Sequence, residues 1–432
     1  MQTNTMRSCF MCNNTIRSNI NGAKWTSNIK IRNSTFLSNQ KQFFLPVVLR
    51  PKSTPYYPYG QYGNKRYQHT ESKTSGKMAA WQIHKYGGNE QLSFSNTCRV
   101  PPISNPDDIL IKIHAASVNP IDVGMRGGYG SNVINTLRGI FSQLQVASEF
   151  PLILGRDFSG VVIQSGRGVH RFKPGDQVWG ALGVEKPGSH SQYTIASQRE
   201  ISKKPSNISH QQAASLPYVA ATTWSAICTF GNFTQQKASQ SRVLVNGGSG
   251  GIGTFAIQLL KAWGAEVVTT CATDAVAMVT DLGADEVIDY KTVGVESSLK
   301  ETGRFDFILD TVGNMESYQS SLLTRGGMFV TLVTPVLTNI DKDGLLGGLA
   351  KTAFSILPKL TSSLPKQTNY RWAFFIPDGK ALGTVKDLVE AEMIIPQIEC
   401  VYQFRDLPLA YEKVGEKHGR GKTVLDIISY NR

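Results

Sequence analysis

The chain has 432 residues, room for two or three domains of about 150 residues each, and its 41% hydrophobic and 18% charged content is that of a globular protein with a substantial core. The net charge is +13, but residues 1–77 hold 12 Lys and Arg against one acid, Glu71, and the other 33 bases and 31 acids leave the body at only +2. A nucleic-acid function loses its main support, because the excess charge does not belong to the folded part.

The first 50 residues place Arg7, Arg17, Lys24, Lys30, Arg32, Lys41 and Arg50 among Ser, Thr and Asn, with no acid. That pattern predicts a mitochondrial transit peptide at 1–50, leading to the matrix, with a disordered tail as the other reading. Residues 51–77, rich in Pro, Tyr, Gly and Gln, read as a disordered linker. The apolar run 43–49 is far too short to span a membrane. Six cysteines lie at 9, 12, 98, 228, 271 and 400; only the first two are spaced like metal ligands, and no second pair completes a zinc site.

From 78 to about 207 the pattern is one of short strands: 109–115, 160–165, and two strand-like pieces flanking a Pro-Gly turn within 172–179. Residues 211–231 read as helix. Strands at 243–245, 266–271, 286–289, 305–310, 327–333 and 371–375 then alternate with helices, which implies a parallel sheet with right-handed crossovers. A helix at 381–391 and strands at 399–404 and 422–428 end the chain. The segment 334–370 is long for a connection, glycine-containing and apolar, then helical near 350–360; subunit contact or plain packing, a substrate cover, and membrane-surface contact are its three readings.

The densest signal is 242–253. A short strand runs into Gly248, Gly250 and Gly253 at G-x-G-x-x-G spacing, and a helical pattern follows from Thr254. One glycine serves a tight turn, one the approach of a pyrophosphate to the backbone, and one the packing of helix on strand. The unpaired N–H groups of the helix start suit the anion. This is a dinucleotide site, with Ser249, Gly251 and Ile252 also on the pyrophosphate.

The motifs Val118-Asn-Pro-Ile-Asp122, the decapeptide 151–160 (PLILGRDFSG), Phe172-Lys-Pro-Gly-Asp176, the nonapeptide 216–224 and 282–290 resemble the zinc-free, quinone-oxidoreductase type of the medium-chain dehydrogenase/reductase superfamily, over about residues 78–432. Segments 370–375 and 418–423 resemble its mitochondrial, reticulon-interacting branch more closely. The resemblance implies an α/β fold: a Rossmann doubly wound parallel sheet (211–377) inserted in a GroES-like, mainly-β catalytic domain (78–210 and 378–432). It also implies a quinone as substrate, a link to coenzyme Q metabolism, a reticulon-type protein partner, and a homodimer by analogy. Where zinc-dependent relatives carry metal ligands, Asn119 and Arg156-Asp157 stand here, so no metal is expected.

An acid ending the second strand would bind a ribose 2′-hydroxyl and repel a 2′-phosphate. That strand ends at Cys271 and Thr273 follows, with no acid before Asp274, which favours NADPH. Tyr290 and Thr273 are candidate phosphate donors, although Tyr290 equally suits packing on the sheet edge. Thr311, Val312 and Leu332 follow later strands and would flank the ribose and nicotinamide. By resemblance, Phe374, His418, Gly419 and Arg420 also reach the cofactor; His418 and Arg420 equally suit an exposed C-terminal stretch.

The expected chemistry is hydride transfer to an electrophilic carbon or a quinone. Asn119, Tyr129 and Tyr218 are the candidate donors to a developing oxyanion, with Asp122 orienting them. For Asp122 and Arg156 an ion pair or turn brace serves as well as catalysis. Two other readings remain open: an enone or enoyl-thioester reductase, and an NADPH-binding interaction protein with little turnover.

Overall fold

The computed structural model describes residues 76–141, 149–292, 294–363 and 367–431. The transit peptide and nearly all of the linker expected at 1–77 lie outside them.

The N-terminal part contributes seven strands: β1 (Lys77–Gln82), β2 (Ser93–Arg99), β3 (Asp108–Val118), β4 (Asp157–Ser165), β5 (Gln177–Ala181), β6 (Tyr193–Ser197) and β7 (Ile201–Lys203). Six parallel strands follow: β8 (Arg242–Asn246), β9 (Glu266–Cys271), β10 (Glu286–Asp289), β11 (Phe305–Asp310), β12 (Leu323–Thr331) and β13 (Asn369–Trp372). The last two are β14 (Ile398–Gln403) and β15 (Lys422–Asp426).

β1 and β2 form an antiparallel pair. The larger antiparallel sheet runs β14-β15-β3-β4-β5-β7, with β6 also paired to β3. β15 lies antiparallel to β3, with Thr423 opposite Val118, so one sheet is built from residues about 300 positions apart. β3 has buried residues throughout because it is central and pairs with three strands.

The parallel sheet runs β10-β9-β8-β11-β12-β13, the doubly wound order whose direction reverses between β8 and β11. Its strands are apolar on both faces: Val243 and Val245 enter one core, while Leu244 enters another with Val268, Ile308 and Phe329. Burying each such side chain stabilises the fold by about 1.5–3 kcal/mol. The helices Gly251–Ala262, Pro217–Trp224 and Gly379–Glu390 pack on the first face. Leu382, Val385 and Val389 thus share a core with the parallel sheet, so the division expected at 377/378 does not separate two cores.

Three segments differ from the sequence expectation. The stretch 172–176 is no strand: Phe172 is buried in the core, Gly175 takes φ +91°, and Asp176 Oδ2 accepts the Lys173 N–H at 2.8 Å to make a turn. The helix expected across 211–231 is divided at Ser215–Leu216, before Pro217, into His210–Ala214 and Pro217–Trp224, and then widens into a π-helix at Ser225–Phe230. The 334–370 segment is mostly one helical stretch, Val336–Ser363, kinked at Gly344 (φ 71°, ψ 176°). It leans on the helix Ser131–Phe141, where Asp341 accepts the N–H groups of Gly130 (2.6 Å) and Asn132 (3.2 Å). Among the described residues no helix is long and apolar enough to cross a membrane.

Candidate active site

A cleft of about 800 Å³ lies between the parallel sheet and the larger antiparallel sheet. Its floor is the switch point of the parallel sheet, where ligands of doubly wound folds bind. The carboxyl ends of four strands carry buried polar side chains: Asn246, Thr270, Asp310 and Thr331. Asn246 Nδ2 donates to Asp310 Oδ1 (2.8 Å) and Asn314 Oδ1 (2.9 Å), and Thr270 Oγ1 donates to Asn246 Oδ1 (2.7 Å). Thr331 Oγ1 donates to Asp310 Oδ2 (3.0 Å). Every partner is satisfied, so this row holds the loop ends rigidly despite its burial.

The glycine cluster sits above that row. The tight turn belongs to Gly247 (φ +89°), whose N–H donates to Thr270 Oγ1 at 3.0 Å. It is not one of the three spaced glycines. A side chain on Gly253 would overlap the Gly247 carbonyl, and one on Gly248 would overlap Thr269 Oγ1; both are small because backbone and strand close on them. At Gly250 a Cβ would meet nothing nearer than 4.0 Å. Gly250 also caps the helix Gly251–Ala262 with no side-chain partner for its first N–H groups, and these residues fit a diphosphate by that open approach and those free donors.

The opposite wall comes from the chain's C-terminal strand. Gly421 N donates to the Ser249 carbonyl at 3.1 Å, fastening the loop 417–421 to the glycine turn. Lys422 then reaches inward. Its Nζ donates to Asn119 Oδ1 and, at 3.0 Å, to Asp157 Oδ2. Asp157 also accepts from Asn119 Nδ2 (2.9 Å), from Ser117 Oγ (2.5 Å) and from the Tyr218 backbone N–H. Beneath lies Asp122, which accepts the N–H groups of Asn119 (2.8 Å) and Gly155 (3.1 Å) and lies 3.8 Å from Arg156. Burial pushes the Asp122 carboxyl up to about 6, against the attraction of Arg156. Burial likewise raises the Tyr218 phenol well above its usual range, with Asp122 and Asp157 adding to it, so it stays a protonated donor.

Of the residues singled out by sequence, Asn119, Tyr218, Ser249, Gly250, Gly251, Ile252, Gly253, Cys271, Tyr290, Thr311, Val312, His418, Gly419 and Arg420 line this one cleft. Gly248, Thr273, Leu332, Phe374, Asp122 and Tyr129 do not. Gly248 is packed against β9. Thr273 opens the turn beyond β9, and Leu332 points into the core while its neighbour Val333 faces the cleft. Phe374 packs on Phe230 at 4.8 Å between ring centroids, and it is Phe375 that stacks on Tyr218, at 4.5 Å. Asp122 is fully buried as a brace, with Arg156 beside it. Tyr129 stands near Asp341, whose charge helps burial raise its phenol.

Lys422, Asn246 and Thr270 were not singled out by sequence, and Asp157 was noted only as standing where zinc-dependent relatives carry metal ligands. Lys422 and Asp157 lie inside quoted motifs, but nothing local says that they meet. Among the described residues no group of three or more His, Cys, Asp or Glu is placed to hold a metal ion.

Residues 105–206 match the alcohol dehydrogenase GroES-like domain and residues 282–425 match the zinc-binding dehydrogenase family. The chain is 46% identical over 354 residues to NAD(P)H oxidoreductase RTN4IP1, mitochondrial, of Danio rerio, covering 81% of this chain and 92% of that protein. The chain belongs to the RTN4IP1 family of NAD(P)H oxidoreductases. To the family member of Caenorhabditis elegans, named reticulon-4-interacting protein 1, mitochondrial, it is 40% identical, covering 84% of this chain and 97% of that one. The structure of the quinone oxidoreductase from Coxiella burnetii superposes with a TM-score of 0.66 at 27% identity, covering 81% of this chain and 99% of that one. The fold is therefore that of a GroES-like domain joined to a Rossmann parallel sheet.

Proposed function

We propose that this chain is a mitochondrial, zinc-independent oxidoreductase that uses NADPH to reduce a quinone and so serves coenzyme Q metabolism. One observation carries the reading: the nucleotide-type glycine turn and the Lys422–Asn119–Asp157 cluster share one cleft. Ser249, Gly250, Gly251 and Ile252 would hold the diphosphate, and Thr311, Val312 and Val333 the sugar and ring beside it. When bound there, the cofactor supplies the hydride.

The chain's own residues prepare the other half of the cleft. Asn119 gives its oxygen to Lys422 and one of its two amide N–H groups to Asp157. It acts as a positioning residue that aims the Lys422 ammonium at the cleft, and its second N–H is the part left for an oxyanion. A cation held by two fixed acceptors stabilises negative charge developing on a substrate oxygen without reorganising. Tyr218, on the same wall and kept protonated, is the second donor. The anion left by hydride addition to a quinone is a stabilised phenolate, so no strong acid is needed in the step and the proton is taken up from solvent afterwards.

The binding-module reading keeps one supporting feature, an apolar row on the helix Val336–Ser363, with Leu346 84% and Phe354 78% exposed. It suits a protein partner of the reticulon type suggested by the relatives' name. A steady-state assay of the chain with NADPH, short-chain quinones, enones and enoyl thioesters separates the readings. Turnover fastest with quinones supports the proposal; turnover only with enones or thioesters, or tight nucleotide binding with no turnover at all, overturns it.

A further inference from the structure

Arg420 and Asp274, 146 positions apart, meet across one end of the cleft. Arg420 Nη2 lies 2.8 Å from Asp274 Oδ1 and 2.9 Å from Oδ2, and Nε lies 3.1 Å from Oδ2. Asp274 sits in the turn Thr273–Ala275 that follows β9, where the ribose 2′ position is read in this fold. Arg420 arrives from the other sheet on an anchored loop: its backbone N–H donates to Glu399 Oε2 at 3.0 Å and the next N–H to Ser249. Tyr290 and His418 line the cleft close enough to feel the charges of Arg420 and Asp274 respectively, and Lys417 lines the same cleft. The site thus gathers cationic and phenolic donors, with one carboxylate already in the fork of the arginine.

Arginine offers the same fork to carboxylate and to phosphate. We propose that Asp274 is an internal stand-in for a nucleotide 2′-phosphate, holding Arg420 in place until a 2′-phosphorylated nucleotide displaces it. This rests on the dinucleotide reading above and adds the residue that tunes the choice between the two cofactor forms. The pair is open to water on the Asp274 side, so exchange costs little. The incoming phosphate brings more charge and more acceptor oxygens than the carboxylate it replaces. The displaced carboxylate then stands beside the phosphate and repels it, whereas with an unphosphorylated ribose it accepts the 2′-hydroxyl. Asp274 therefore narrows a preference for NADPH that Arg420 creates.

The test is a fluorescence titration of the full chain with NADPH, NADH, 2′,5′-ADP and 5′-AMP, with thermal melting as a fold control. In Asp274→Asn, NADPH and 2′,5′-ADP should bind up to about fivefold more tightly, the scale of one exposed ion pair. NADH and 5′-AMP should bind equally or more weakly. Arg420→Ala should weaken NADPH selectively, and adding Asp274→Asn to it should recover less NADPH affinity than Asp274→Asn gains in the unaltered chain. The proposal falls if Asp274→Asn shifts both nucleotides alike, weakens NADPH, or acts undiminished without Arg420. Failure of the unaltered chain to bind any of the four would overturn the dinucleotide reading itself, a result distinct from unaltered binding with no effect of Asp274.

Discussion

Lys422 Nζ hydrogen-bonds the carboxamide oxygen of Asn119, 303 positions earlier in the chain, and its second partner, Asp157, lies 3.0 Å away. The contact joins β15, an interior strand of the large sheet, to the residue that caps the helix Pro120–Arg126. It fixes the cleft wall and supplies its charge at once, so its two roles separate experimentally.

Lys422→Met should reduce kcat by about 10²-fold, the scale of one lost oxyanion donor. It should also lower stability by roughly 3–5 kcal/mol, since Asp157 is left buried without its cation. The double variant Lys422→Met/Asp157→Asn should regain much of the stability and none of the rate. Recovery of both, read by thermal melting and quinone turnover, would make Lys422 purely structural.

The glycines of the turn should divide in the same way. Gly253→Ala places a methyl against the Gly247 carbonyl and should cost about 1–3 kcal/mol in melting experiments. Gly250→Val meets no neighbour but is a poor helix N-cap, so it should cost about 1 kcal/mol of stability while NADPH affinity drops about tenfold or more. Equal nucleotide affinity in Gly250→Val would argue against a diphosphate over that turn.

Stability should depend on pH through two buried groups of opposite sign. Burial pushes His190 down to about 3, so between about 3 and the usual 6.5 the unfolded chain holds a proton that the folded chain lacks, and stability rises with pH. Asp122 behaves oppositely: raised to about 6 from 3.8, it keeps its proton when folded, so stability falls as pH climbs through that window. Each group changes the slope by about 1.4 kcal/mol per pH unit. In urea titrations from pH 4 to 6 the slope of stability against pH should become more negative for His190→Gln and more positive for Asp122→Asn. Unchanged slopes would mean that neither group keeps its shifted ionisation.

The exposed row on the Val336–Ser363 helix should be silent in the isolated fold. Leu346→Ser and Phe354→Ser, both projecting into solvent, should alter stability by no more than about 0.5 kcal/mol. A larger loss, measured by chemical denaturation, would show that these side chains are covered by another part of the molecule or by a second copy.

Much of the scaffold was readable locally. Strand runs at 266–271, 286–289 and 305–310 match β9, β10 and β11, because buried parallel strands write continuous apolar stretches into the chain. The glycine spacing located the turn but gave its tight bend to one of the three spaced glycines, whereas the positive φ belongs to Gly247, just before them. Phe172 carries strand character by composition, yet it left the ladder for the core. Within 334–370 only the part near 350–360 read as helix, because the helical stretch breaks at Gly344 and keeps apolar side chains in solvent.

From residue order alone came the alternation of strands and helices, the glycine turn and the region where a nucleotide would lie, all features set by neighbours a few positions apart. Folding in three dimensions settled which polar groups meet: Lys422 with Asp157 and Asn119, Arg420 with Asp274, Arg156 with the buried Asp122. Those pairings join residues up to 303 positions apart, and no local periodicity encodes them, because they depend on β15 pairing with β3 and on Gly421 docking against Ser249.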